Sequence, residues 1–502
     1  MNLTKPSYFR FAIAIISVAV FSTASVKAQF NNNGDAIFNS PDIHVFKFTF
    51  TQPSFWDSLI ANYYTDQMMQ ATVEIDGVVF PSVIGVQLKG NSSFTTYPGV
   101  KKSIKVSFDE YVDTADFHDI TTLNLNNGFK DPTMLREKMC LDFCKRNGIN
   151  APRCTYAKVY LNNEFWGFYT CVEQVGKIFC KTRFNNKNGN LYKGDPTGDL
   201  RWYGAQESQY YDKYEKKTNE SQDWSDLVRL IDNLNNESAS VWKDSLEATL
   251  NVEQYIRYWA ANVLFANLDS YTGSGHNYYI YHDDSLQFFQ WIMWDVNEAF
   301  GNFNPGGLQN TTMSSLAYDY IPTPATNRPL NNKLLADSDY HQRLKDQICS
   351  YIQSDFNSGN LEPQIDSLAN RIRADYYSDP NKMYSNSQFE DNINNMVNQT
   401  PGLKSFISER VQYLNTQLGC PTGVEQIPYN SRNLMPNPFS YSSTLIGSKD
   451  QPTVLDVLGR DLSSEFNFKY SDGKWLIENP KCLQGFYFLH FDNSPSIPFV
   501  LE

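Results

Sequence analysis

Asn262-Val-Leu-Phe-Ala-Asn-Leu-Asp269, Gly273-Ser-Gly-His-Asn277-Tyr-Tyr-Ile-Tyr281 and Trp291-Ile-Met-Trp-Asp295-Val-Asn297-Glu-Ala-Phe-Gly301 are the densest run of polar residues in apolar surroundings in the chain. The apolar periodicity from Tyr255 to Phe265 predicts a helix that ends on Asp269. A Gly-containing loop carries Asn277 into a strand, and the following strand ends on Asp295. Two carboxylates and one carboxamide thus meet at the ends of adjacent elements. Mg²⁺ takes a few such oxygens together with the phosphates of its nucleotide. In phosphoryl transfer one Asp orients the attacking hydroxyl, while an Asn and a second Asp hold the metal. The same spacing also fits a blander reading, in which Asp269 and Asp295 are turn acids and Asn277 is a loop residue.

On the N-terminal side, residues 223–268 read as largely helical, and residues 330–420 return to helices after the two strands. Further upstream, Ile43–Phe50, Ala71–Ile75, Ser82–Lys89 and Lys101–Phe108 read as strands of a mainly antiparallel sheet, with Asp76-Gly77 as a turn. Asp131-Pro132 predicts a helix start, since Asp caps well and Pro suits the first helical position, and Asn147-Gly148 predicts its end. Ala157–Leu161 and Trp166–Glu173 flank Asn162-Asn163 as a hairpin. Five prolines and glycines punctuate 421–438, which predicts a linker. The short strands that follow predict a small β-sandwich.

The chain has 502 residues, 41% hydrophobic and 19% charged, enough for several packed domains and against wholesale disorder. Aromatics reach 15%, which fits a strand-rich core and also an aromatic binding platform. A net charge of −13 with no basic run argues against nucleic acid as a partner. Lys5 and Arg10 precede the apolar run Phe11–Phe21, and Val26-Lys27-Ala28 resembles a cleavage site. The run is short for a membrane span, so residues 1–28 read as a signal peptide, with no transmembrane segment after it. Its removal would take the charge to −16 by loss of Lys5, Arg10 and Lys27. Eight cysteines remain, with no C-x-x-C pair, and read as one or two disulfides or buried thiols rather than a zinc site. Scattered histidines and the absence of G-x-S-x-G leave hydrolase chemistry without support.

A second candidate is the lysine hairpin. Lys89 closes a strand, a polar loop runs from Gly90 to Gly99, and Lys101 and Lys102 open the next strand, so its tip could cover phosphates. These segments together resemble the spore-coat-protein-H (CotH) kinase family of secreted or surface atypical kinases. The matching stretches are Gly85-Val-Gln-Leu-Lys-Gly-Asn-Ser-Ser with Lys101-Lys-Ser-Ile-Lys-Val-Ser-Phe, Asp131-Pro-Thr-Met-Leu-Arg136, Val159–Glu173, Asn190-Leu-Tyr-Lys193, Asn267-Leu-Asp-Ser, and Trp294-Asp-Val-Asn-Glu-Ala-Phe-Gly. They run in the family's order across roughly 43–301.

The resemblance implies an α+β, divergent two-lobed kinase-like fold over 29–420, with an N-terminal antiparallel sheet and a helical C-lobe. It makes Asp269 the catalytic-loop acid, and Asn277 and Asp295 ligands of Mg²⁺ or Mn²⁺. Lys101 or Lys102 would contact the phosphates of ATP, as would Lys89 and Lys193. Glu173 would lie near the nucleotide cleft, and Arg136 would be a structural or phosphate-side partner. The chain has Lys89-Gly90 where the family often has Arg-Gly, and Asn297 where it usually has a second Asp, so a metal held through Asn297 loses one charge. The last segment, 434–502 beyond a 421–433 linker, resembles a type IX secretion sorting domain through Met435-Pro-Asn-Pro-Phe439, Val457-Leu-Gly-Arg460 and Gly485-Phe-Tyr-Phe-Leu. The expectation is an exported Ser/Thr kinase acting on surface proteins and engaging the secretion machinery. The alternative is a non-catalytic surface protein that binds a glycan or a partner protein.

Overall fold

The computed structural model describes residues 33–65, 67–221, 223–420 and most of 433–501. The predicted signal peptide, nearly all of the predicted linker, Pro436–Ser440, Val457–Gly459 and Cys482 lie outside the described residues. The chain divides into two compact units at Gly419/Cys420.

The first half of the larger unit holds strands β1 (His44–Thr49), β2 (Met69–Ile75), β3 (Val78–Val79), β4 (Ile84–Lys89), β5 (Ser103–Ser107), β6 (Thr122–Asn126), β7 (Cys154–Leu161) and β8 (Glu164–Glu173). Their order is β1-β7-β8-β6-β5-β4-β2-β3, and β1 also pairs with β2. The sheet therefore closes on itself, with β3 left outside the ring. Closure removes the exposed edges an open sheet would carry. All pairings are antiparallel except β1 with β7. Phe46 and Phe48 of β1, Val73 of β2, Val86 and Leu88 of β4 and Leu125 of β6 belong to one fully buried core. The β7–β8 turn is Asn162-Asn163, both in the left-handed region (φ 47° and 69°), which suits a tight hairpin.

The helix after β6 starts at Arg136 and not at Pro132, with Asp131 outside it. Met134 sits at φ 59°, which breaks the first turn. Asp131 caps from outside, accepting from Arg136 N–H at 2.8 Å and Thr133 N–H at 3.0 Å. The helix ends at Arg146, with Gly148 beyond it at φ 64°.

The second half of the unit is helical around a four-stranded sheet of β9 (Asn190–Lys193), β10 (Glu215–Lys216), β11 (Tyr278–Asp283) and β12 (Phe288–Met293), ordered β10-β9-β11-β12. Helices Ser225–Asn236, Val252–Leu264, Ser338–Ser354, Ser358–Ser378 and Leu403–Leu418 are the long ones. No helix among the described residues is long and apolar enough to cross a membrane. Cys140, Cys144, Cys154, Cys171 and Cys180 are buried free thiols, while Cys349 and Cys420 are disulfide-bonded. The smaller unit has one four-stranded and one three-stranded sheet, and Leu445, Val454, Ile477 and Leu489 share a core drawn from both.

Candidate functional site

The helix Val252–Leu264 is built to end where it does. Arg410, fully buried, donates to the Val263 carbonyl at 2.8 Å and so satisfies one of the last-turn acceptors. Ala266 turns into the left-handed region at φ 42°, and Asn267 donates through Nδ2 to Asn262 Oδ1 at 2.8 Å. The loop that follows is held by Ser274 N–H to Leu268 O and Gly275 N–H to Ser270 O, both 2.9 Å. Arg328 Nη2 clamps its outer side by donating to Gly273 O at 2.5 Å. A Cβ on Gly273 would stand 1.9 Å from the Leu268 carbonyl oxygen, so only glycine fits.

This loop presents Asp269. Its Oδ1 accepts from His276 Nε2 at 2.9 Å, and its backbone carbonyl accepts from Asn277 Nδ2 at 3.3 Å. Burial pulls the His276 pKa down, but the hydrogen bond to Asp269 and its charge outweigh that and leave it raised. Asn277 enters β11 at φ 58°. Asp295 leaves β12 at φ 53°, a conformation that non-glycine residues hold only when the surroundings impose it. Burial raises the Asp295 carboxyl, Lys89 pulls it back, Asp269 raises it further, and Lys193 and His276 also lower it.

Lys89 reaches this acid from the barrel, at the end of β4. Its ammonium lies 5.5 Å over the Trp294 ring and donates to Asn126 Oδ1 at 3.3 Å. Asn126 in turn donates through Nδ2 to Glu137, at 2.9 and 3.0 Å. Burial pushes Glu137 up to about 7, with Asp295 adding to the push. Glu298 is raised to about 7 in the same way, although Lys130 Nζ holds it at 2.8 and 3.0 Å. Lys193 is paired with Asp195, and burial lowers its pKa less than Tyr279 and Asp195 raise it. Asp295 is therefore coupled to Asp269 and raises both Glu137 and Glu298, with Lys89, Lys130, Lys193 and His276 as counter-charges. Glu137, Glu298 and His276 carry no role in the sequence reading. Glu137 and His276 adjoin residues singled out there, and Glu298 lies inside the Trp294–Gly301 motif, so adjacency was the available signal.

Burial corrects the expectations for Lys101, Lys102 and Glu173, and leaves Arg136 with the structural one of its two expected roles. Lys101 is 1% exposed and its ammonium is locked to Asp379 at 2.6 Å. Lys102 donates to the backbone carbonyls of Phe94, at 2.9 Å, and Tyr97, so it staples the Gly90–Gly99 loop from inside. Arg136 is fully buried and spends its guanidinium on Asp131 and Asn392, each at 3.0 Å, and on the Pro401 carbonyl. Glu173 is enclosed by Arg153, at 2.5 Å, and Arg183, at 2.8 Å. None of the four offers a charge to a ligand.

Among the described residues no three His, Cys, Asp or Glu side chains stand together as a metal cage. The donor set at hand is two carboxylates, Asp269 and Asp295, with the carboxamides of Asn277 and Asn297. Asn297 donates through Nδ2 to Phe129 O at 3.1 Å, which turns its Oδ1 to the other side. Such hard oxygens suit Mg²⁺, which keeps several waters and takes phosphate oxygens rather than an all-protein cage. A pocket of about 630 Å³ opens elsewhere, beside His44, Asp76, Lys158 and Arg371, and includes none of these residues.

The family model described as "CotH kinase protein" matches residues 86–414, well over half the chain. The inner spore coat protein H of Bacillus subtilis (strain 168) is 26% identical over 322 residues, which cover 63% of this chain and 83% of that protein.

Proposed function

The chain belongs to the CotH kinase protein family, and on that premise we propose that it transfers the γ-phosphoryl group of ATP to Ser or Thr hydroxyls of surface or secreted proteins. The closed barrel would serve as the nucleotide-side lobe and the helical half as the acceptor-side lobe of a divergent kinase-like fold. Asp269 is the group that orients the acceptor hydroxyl and takes its proton. Asn277 and Asp295 would hold Mg²⁺ or Mn²⁺, with Asn297 able to add a neutral oxygen. The metal, when bound, neutralises charge on the β- and γ-phosphate oxygens. Lys89 and Lys193 are the cations that face the phosphates, Lys89 steadied through Asn126 by Glu137.

One observation carries this reading. Asp269, Asp295, Lys89 and Lys193 come from four separate stretches, and Lys89, Lys193 and Asp269 all act on the Asp295 carboxyl. Placing Asp295 beside the like charge of Asp269 costs stability that a purely structural pair need not incur, which makes this cluster the candidate site. Asp269→Ala and Asp295→Ala are expected to abolish autophosphorylation, a loss of several kcal/mol of transition-state stabilisation, while leaving the unfolding midpoint near that of the unmodified chain. Full activity in both variants would defeat the assignment.

Asn297 favours a second reading, a non-catalytic surface protein that binds a glycan or a partner protein. The carboxamide brings no charge to a metal, and among the described residues no third acid joins Asp269 and Asp295 as a metal cage. Titration with ATP and Mg²⁺ or Mn²⁺ separates the two, because a ligand that binds only the folded chain raises its midpoint by mass action. For localisation we propose export through the signal peptide 1–28. A C-terminal β-sandwich at 434–502 would act as a type IX sorting signal toward the outer surface. Arg460 and Gly485-Phe-Tyr-Phe-Leu carry that part of the proposal, and secretion of a reporter fused to 421–502 tests it.

A further inference from the structure

We infer that His276 is a positioning residue for Asp269, an inference that rests on the reading of Asp269 as the acid facing the acceptor hydroxyl. A carboxylate turns about its last bond with little preference, so its two oxygens exchange places unless one is held. Here Oδ1 is held, by His276 Nε2 at 2.9 Å, and Oδ2 has no hydrogen-bonding partner among the described residues. The imidazole is itself fixed from the far side, because Nδ1 faces the Pro196 carbonyl at 3.3 Å. Pro196 follows β9, whose Lys193 pairs with Tyr279 of β11. The ring thus braces the Asp269 loop against the four-stranded sheet. Its side chain is 34% exposed and that of Asp269 only 13%, so the brace sits at the mouth of the site and not in the core. The free oxygen is then the one presented to a hydroxyl, in a fixed direction, before any substrate arrives.

Positioning and local scaffolding are distinct roles for such a bond, and they separate in kinetics. Positioning of a proton acceptor acts on the chemical step, whereas scaffolding acts on folding and on every ligand at once. Misplacement of a reacting group by about 1 Å costs on the order of 100-fold in rate.

The test uses the full chain, with autophosphorylation from labelled ATP as the readout, and compares His276→Ala, His276→Phe, His276→Gln and Asp269→Ala. His276→Ala and His276→Phe are expected to lower kcat by about 10- to 100-fold with KM for ATP unchanged within about twofold. His276→Gln, which keeps a donor near Nε2, should recover part of the rate. Imidazole added to His276→Ala should do the same, since the site is open enough to admit it. Unchanged kcat in His276→Ala and His276→Phe, with Asp269→Ala inactive, overturns the inference and leaves the reading of Asp269 standing. Equal losses in kcat and in nucleotide affinity, with no rescue by imidazole, also overturn it in favour of scaffolding. Activity in Asp269→Ala, or none in the unmodified chain, removes the reading itself. If His276→Ala does not fold, His276→Phe fills the same volume without a donor and decides the question alone.

Discussion

Replacing Lys101 by methionine separates the nucleotide role that the sequence suggests from the structural role that burial assigns. The Lys101 ammonium is 1% exposed and meets Asp379, itself fully buried, at 2.6 Å. Asp379 also accepts from Phe168 N–H at 2.9 Å and from Asn381 N–H at 2.7 Å, so the pair ties β8 to the end of helix Ser358–Ser378. Methionine keeps the stem and removes the charge, which strands a carboxylate where water cannot reach it. Breaking one side of a buried pair costs about 3–5 kcal/mol. Unfolding entropy is about 2.1 cal/mol/K per residue, or roughly 0.8 kcal/mol/K for a unit of this size, so the midpoint should fall by about 4–6 °C. Lys101→Met combined with Asp379→Asn removes both charges but keeps an acceptor for only one of the two N–H groups, which bond separate carboxylate oxygens, so it should regain part of the loss. Differential scanning calorimetry measures the shift, and added ATP with Mg²⁺ should raise the midpoint by the same increment in variant and unmodified chains. A variant that unfolds within about 1 °C of the unmodified chain yet no longer responds to nucleotide would refute the structural assignment.

Three further outcomes follow from the same packing. Glu173→Ala should destabilise by about 3–5 kcal/mol, because it leaves the guanidinium groups of Arg153 and Arg183 beside each other without their shared carboxylate; urea unfolding with unchanged nucleotide binding is the check. Glu137 is raised in the folded chain to about 7 from an ordinary 4.5, so the folded state holds the proton more tightly. Its contribution is therefore fully present below about pH 4.5 and lost as pH rises to about 7, at no more than about 1.4 kcal/mol per pH unit. Glu137→Gln should flatten that part of a stability-versus-pH curve, and an unaltered slope would contradict the burial of its charge. Gly273→Ala should lower the unfolding midpoint and speed amide exchange at Gly275 and Asn277, since the new methyl carbon meets the Leu268 carbonyl at 1.9 Å and the loop must open.

The fold was legible where one face is wet. β1 alternates buried and partly exposed residues, and β2 does so through most of its length, so period two was visible in Ile43–Phe50 and Ala71–Ile75. The Asn162-Asn163 and Asn147-Gly148 turns were legible because their chemistry is local. Closure of the barrel was not, because β1 and β7 stand over a hundred residues apart and their parallel register rests on no turn. β6, Thr122–Asn126, passed unread: Leu123 and Leu125 alternate as a strand should, but five residues are a weak signal. The helix starts four residues later than Asp131-Pro132 implies, since Asp131 does cap, only from farther out.

The candidate site divides along the same line between local and long-range information. Asp269, Asn277 and Asp295 could be picked out because each ends an element, and ends of elements are where chain direction changes and polar side chains have room. The lysines could not be sorted. Lys89, Lys101 and Lys102 look alike in sequence, all at the ends of adjoining strands, yet one faces the acids and two face inward. The difference is a partner supplied from far away: Asp379, 278 positions later, claims Lys101. Arg136 is claimed likewise by Asn392, 256 positions on. Lys102 finds its carbonyls in its own loop, which is why the Gly90–Gly99 segment is pinned rather than free to fold over phosphates. A basic residue beside a glycine-rich turn is thus not evidence of anion binding until its own hydrogen bonds are accounted for, because a buried ammonium always has partners. The same accounting works in the opposite direction for His276, which acquires a role only because one of its two nitrogens meets Asp269.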